Sequence, residues 1–205
     1  TLKMKASTAA NTATTLQGNP NYDGGSLDML GFDDGTRSLP GAVPTDRAAR
    51  LSSEGMDAAR LEEIGEAFAN TWEVGEERAI PNFGLGATVG DTVKHKGRNL
   101  GYLASLTYGH KLTARAADVA KVRNSDMGLE YREQLDNFRG TQSAKLGGLV
   151  STGYEIDKDN RLNFFSLYTH NGQSTAQRVT GVSEADGQEI DATRMRFVER
   201  YLSFS

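Results

Sequence analysis

Residues 83–90 read Phe83-Gly84-Leu85-Gly86-Ala87-Thr88-Val89-Gly90, and this run decides the fold. In an extended chain Phe83, Leu85, Ala87 and Val89 fall on one side, and Gly84, Gly86, Thr88 and Gly90 on the other. A second run comes at once. Leu100, Tyr102, Ala104, Leu106 and Tyr108 share one face, Gly101, Ser105, Thr107 and Gly109 share the opposite one, and Leu103 is the exception. Apolar residues alternating with small or polar ones at period two are the pattern of transmembrane β-barrel strands, apolar toward lipid and small or polar toward the lumen. The expected fold class is all-β: an antiparallel transmembrane β-barrel fragment of about six strands, with long extracellular loops and one short loop helix.

Composition agrees with that expectation. The chain has 205 residues, 37% of them hydrophobic, and a mean hydropathy of −0.53. No run approaches the roughly 18 apolar residues that a membrane helix requires. A barrel wall turns only every second residue to lipid, so it is hydrophilic on average. Net charge is −4 with Lys and Arg dispersed along the chain, and no basic stretch interleaved with aromatics appears. Nucleic acid is therefore not an expected partner. The absence of cysteine excludes disulfides and thiolate metal sites. Thr1 opens directly into a strand-like run without a signal sequence, and Arg200-Tyr-Leu-Ser-Phe-Ser205 stops inside another, so the chain reads as cut at both ends.

Strands are expected at roughly 2–14, 82–92, 99–112, 142–156, 161–170 and 193–205. In the first, Leu2, Met4 and Ala6 alternate with Lys3, Lys5 and Ser7; two lysines on one face suit a wet or protein-filled lumen, or equally the guarded edge of a soluble sheet. Residues 16–80, 113–140 and 171–192 read as long polar loops, the second with strand extensions around Leu129 to Phe138. The first loop contains a helix near 56–70, capped by Ser52 or Ser53, with Leu61, Ile64 and Phe68 at helical spacing and Glu62, Glu63 and Glu66 toward solvent. That stripe is expected to pack on neighbouring structure. Thr92–Asn99 and Asp157–Asn160 make short turns. Short and long links thus alternate, as in outer-membrane barrels with short periplasmic turns and long external loops. Odd strands would then run outward and even strands back. Tyr102, Tyr108, Tyr154, Tyr168 and Tyr201 fit headgroup-level rings in a barrel and ordinary strand formers in a soluble sheet.

The segment Gly24-Gly25-Ser26-Leu27-Asp28-Met29-Leu30-Gly31-Phe32-Asp33-Asp34-Gly35-Thr36-Arg37-Ser38-Leu39-Pro40 resembles a stretch that comes after the first barrel strand in TonB-dependent outer-membrane receptors. The residues beyond it are similar to that family too: a short helix, Phe68 and Trp72, then Pro81-Asn82-Phe83-Gly84 entering the second strand. The run Leu162–His170 and the later Arg200-Tyr201 fit its fifth and sixth strands. The resemblance spans essentially the whole chain but only the early part of such a receptor. It implies part of a TonB-dependent transporter in a Gram-negative outer membrane, importing a scarce or bulky nutrient such as an iron chelate, a cobalamin or a glycan. The implied partners are outer-membrane lipid, a plug domain and TonB outside this chain, the small-molecule or glycan cargo, and a surface lipoprotein. Cargo contacts would come from the three long loops. The alternatives are a non-transporting outer-membrane barrel serving adhesion or assembly, and a soluble β-rich binding domain.

Three residues stand out as a site. Asp33 and Asp34 could hold a hard cation through oxygen ligands; alternatively Asp-Asp-Gly makes a turn and Arg37 pairs with a carboxylate to staple the loop. The spacing does not complete an EF-hand calcium loop, which favours the staple. Gly84, Gly86 and Gly90 superficially resemble a dinucleotide loop, but the run is itself a strand and opens no helix. These glycines more plainly keep the lumen-facing wall low. His95, His110 and His170 lie in separate elements without companion ligands at metal spacing. No catalytic motif is evident, so no enzyme, metal or cofactor is expected.

Overall fold

The computed structural model describes residues 1–11, 14–45, 57–68, 71, 73–184 and 187–204. Its main element is a six-stranded antiparallel sheet. The strands are β1 (Leu2–Ala9), β4 (Asn82–His95), β5 (Arg98–Ser125), β6 (Gly128–Glu155), β7 (Arg161–Val182) and β8 (Glu189–Phe204), side by side in that order. Between β1 and β4 runs a long connector that carries a second, two-stranded sheet of β2 (Gly18–Asn21) and β3 (Gly75–Arg78), a 3₁₀ turn at Asp28–Leu30, and the helix α1 (Ala58–Glu66). The fold is all-β and antiparallel, as the alternation predicts, and the six strands form an open sheet.

Strand lengths differ from expectation in one direction. Segments 113–140 and 171–192 are not loops: β5 and β6 pair without interruption from Leu100↔Tyr154 to Ser125↔Gly128, apart from a bulge after Lys121, and β7 pairs with β8 from Leu167↔Phe204 to Val182↔Glu189. The link between β5 and β6 is Asp126-Met127 alone. What alternates is therefore hairpin height rather than loop length. These upper halves escape a periodicity reading because apolar residues such as Val119 and Ala116 fall among polar ones on both faces, which removes the hydrophobic period without weakening the backbone ladder. Their tip is laced by Lys121–Glu133, Arg132–Glu184 and Arg123–Glu130 ion pairs, a composition that protects solvated strand edges. Strand β1 stops at Ala9 rather than 14. The helix is shorter than 56–70: it starts after Asp57, whose carboxylate accepts from the Arg60 N–H at 2.8 Å, and of its stripe only Ile64 is buried. Ser52, Ser53 and Trp72 lie outside the described residues.

Register sorts the sheet into two faces. One carries Leu2, Met4, Leu85, Val89, Leu106, Val150, Phe164 and Tyr168, all well exposed. The other carries Gly84, Gly86, Thr88, Ser105, Thr107, Gly147 and Ser151 on β4–β6, with Leu103 and Leu149 among them, and Phe165, Leu167, Leu202 and Phe204 on β7 and β8. From Leu100 to Tyr108 the apolar band runs about 27 Å along the strand. Above it the connector lies on the same face, against β6 and β7. Below the connector nothing among the described residues covers either face, so the described sheet there is a single layer. Among the described residues the buried hydrophobic side chains are Ile64, Ala79, Ala144 and Ala176. The accessible surface is 14728 Å², against roughly 9,400 Å² for a compact monomer of 22.2 kDa.

Candidate functional site

Two regions gather chemistry: the seam where the connector meets the sheet, and the polar face opposite it. At the seam, backbone touches backbone. Gly31, at φ 86° after the 3₁₀ turn, lies against Gly172 of β7, where an added Cβ would stand 2.1 Å from the Gly31 carbonyl oxygen. Gly140 meets the Pro20 carbonyl in the same way. Side chains complete the contact. The buried His170 ring donates from Nε2 to the Gly31 carbonyl at 2.6 Å and stacks on Phe32 at 3.9 Å. The Tyr108 hydroxyl donates to the Met29 carbonyl. Where β4 has ended, Asn82 and Thr14 accept from the Leu112 and Ala114 N–H groups, so that edge of β5 is closed by side chains. His110 is buried beside Gln142, 3.0 Å from the amide nitrogen, and stacks on Phe83. His95 ends β4 at the exposed turn.

The resemblance-bearing segment is tied together by Arg37. Its guanidinium donates to both oxygens of Asp28, to Asp33 at 3.2 Å and to the Tyr22 hydroxyl at 3.3 Å, and lies 4.4 Å over the Phe197 ring of β8. Burial works against its charge, but Asp28 and Tyr22 outweigh burial and push the pKa above the ordinary arginine value. Asp34 faces the other way. It accepts from the Thr36 hydroxyl and N–H and from the Ser26 hydroxyl and N–H, and these four donors hold its carboxyl well below the usual carboxylate range. The structure thus brings Arg37 and Asp33 together, with Asp28 as the stronger partner, and leaves Asp34 in a separate turn lock. Among the described residues no three His, Cys, Asp or Glu side chains converge as a metal site. Each oxygen of Asp34 already has two donors, so its role is to fix the turn.

The polar face holds what the linear sequence concealed. Pairing aligns Arg194, Gln177, Arg139 and Arg115 in one row, Arg196, Thr175, Thr141 and Thr113 in the next, and Arg200, Asn171, Lys145 and Gly109 two rows down, with Lys111 between. Seven cations share this patch, no Asp or Glu does, and none of the seven takes an ion pair among the described residues. All seven are exposed. Arg139 donates to Gln177 at 3.1 Å, and the side-chain Oδ1 of Asn171 is buried without a partner among the described residues. Same-face neighbours two residues apart lie about 7 Å apart, so each like pair costs about 0.6 kcal/mol even in water. The cations come from three strands, β5, β6 and β8, of a chain of net charge −4, so along the sequence they look dispersed. Only the alternation Arg194-x-Arg196-x-x-x-Arg200, read at period two, hints at the patch.

Comparisons with protein families, with curated proteins and with solved structures find no match.

Proposed function

We propose that this chain forms part of the wall of an outer-membrane β-barrel, of the TonB-dependent transporter type, and serves the import of a scarce or bulky solute. The observation that carries the reading is the uncovered apolar band. Soluble domains bury such a face against a second layer, and among the described residues the lower sheet has none; on β4–β6 the opposite face is mostly Gly, Ser and Thr, while on β7 and β8 it carries Phe165, Leu167, Leu202 and Phe204. Tilted by the roughly 35–45° usual in such barrels, a band of this length stands about 20 Å tall, comparable with their hydrocarbon-facing belt of roughly 25 Å. Short turns at one end and tall hairpins at the other suit a periplasmic and an external side. The Gly24–Pro40 segment, similar to one in TonB-dependent receptors, supports the narrower assignment. On this reading the connector lies on the outer surface of the wall above the lipid, so 16–80 is not itself the cargo lip; the polar face of β5–β8 is.

The test places one substitution at two heights. Leu106 is 58% exposed within the band, and Leu129 is 76% exposed on the hairpin tip. In a membrane barrel Leu106→Arg costs about 2–4 kcal/mol, whereas Leu129→Arg stays within about 0.5 kcal/mol. The readout is heat-modifiable gel mobility together with outer-membrane fractionation. Equal tolerance of both substitutions would refute the wall. Transport is tested by uptake in cells with and without TonB.

A further inference from the structure

We infer that the polar face of the upper β6–β8 hairpins is a capture site for a small polyanion, a solute bearing several phosphate or carboxylate groups. The inference rests on the wall reading for its place in transport and narrows the cargo class. A depression of about 240 Å³ is lined by Arg139, Arg194, Arg196 and Arg200 with Gln173 and Thr175 between them. Guanidinium groups bind carboxylate and phosphate through paired N–H donors, and the intervening amide and hydroxyl supply neutral contacts. Arg139 and Arg194 are two strands apart in one row, about 10 Å. Arg196 and Arg200 continue the patch down the strand, so a ligand with well-separated anionic groups can engage several at once. The mixed-sign hairpin tip shows how this chain neutralises cations it does not need free: Lys121, Arg123 and Arg132 all carry a glutamate partner. The patch has none. Its position fits capture, because it begins at the top of the apolar band and rises above it on the side away from the connector.

The experiment is calorimetric titration of the full-length, detergent-purified protein with tripolyphosphate and with citrate, maltotriose serving as the neutral comparison. The Arg194→Gln/Arg196→Gln double variant is compared with Arg178→Gln. Arg178 stands at the same height on the opposite face, paired with Asp191 at 2.6 Å, so the control removes charge without touching the patch. Binding of either anion, weakened roughly tenfold or more per patch arginine and unchanged by Arg178→Gln, supports the site. Equal weakening by Arg178→Gln, unchanged affinity in the double variant, or binding of maltotriose alone overturns it. Should the double variant fail the heat-modifiability check, Arg194→Lys/Arg196→Lys keeps the charge and removes the paired donors, and must also weaken binding. Loss of anion binding with Leu106→Arg still intolerant removes this inference and leaves the wall; anion binding with Leu106→Arg tolerated does the reverse.

Discussion

Replacing Gly172 by alanine strikes the seam at its narrowest point. The new Cβ would lie 2.1 Å from the Gly31 oxygen, 2.3 Å from its Cα and 2.5 Å from its carbonyl carbon, where ordinary contact begins at 3.4 Å. All three are backbone atoms, so no side chain can swing aside. The connector must retreat by roughly 1.3 Å, the shortfall between those distances. That retreat stretches the 2.6 Å bond from His170 to Gly31 beyond hydrogen-bonding range and opens the 3.9 Å Phe32 stack. Holding the connector in place costs about 1–3 kcal/mol of overpacking; releasing it leaves a buried imidazole donor unsatisfied, about 1–3 kcal/mol, and weakens a ring pair of about 1 kcal/mol. Either route gives a net loss of roughly 2 kcal/mol, which raises the open population of the connector about thirty-fold. Limited proteolysis reads that population when reclosing outpaces cleavage. The comparison is Gly109→Ala, on the opposite face at the same height with nothing within 4 Å of its added Cβ. Cleavage of the connector at the same rate in both variants would refute the idea that this contact holds it.

Arg37→Lys keeps the charge but loses the paired donors to Asp28 and the stacking on Phe197; with both ion-pair partners mostly buried, connector stability falls by about 1–2 kcal/mol in the same proteolysis assay. Acid acts on Asp34. Its folded pKa lies below the unfolded one, so its contribution is complete above the ordinary carboxylate range and is lost as pH falls through and below it. Hydrogen exchange at the Ser26 and Thr36 amides should accelerate, relative to intrinsic rates, as the pH is taken below about 4, and Asp34→Asn should show raised exchange at neutral pH as well. An acid response identical in Asp34→Asn would assign it to another carboxyl.

The lower sheet was legible because each residue there answers to two environments. Leu85 against Gly86 and Leu106 against Thr107 record the faces directly, and the pairing Leu85↔Tyr108 confirms the shared side. Above His110 both faces meet water or connector, so Thr113–Arg123 carry no period and the strand vanished into an apparent loop. The motif marked Arg37 as a staple candidate but hid its anchor, because Asp28 is nine residues away across a 3₁₀ turn and Phe197 belongs to the last strand. The basic patch was hidden for the same reason: Arg139 and Arg194 meet only through β7. In the connector Gly31 serves close approach to Gly172 as well as its positive φ, a role no local pattern marks.

The neighbouring position of β1 and β4 sets the order of assembly. Every other adjacent pair in the large sheet is a hairpin, whereas β1 meets β4 across residues 10–81. Closing that loop costs roughly 3 kcal/mol more than closing a two-residue turn, and non-local pairing of this kind is slow. The meander β4–β8 can therefore form by successive local steps and present the Gly140–Gly172 surface before β1 has a partner. Docking of the connector there would shorten the remaining search to the few residues on either side of Thr14, making the seam a folding template for the first strand as well as a fastening. Substitutions at Gly172 should then slow the arrival of β1 while leaving the rate of hairpin formation unchanged.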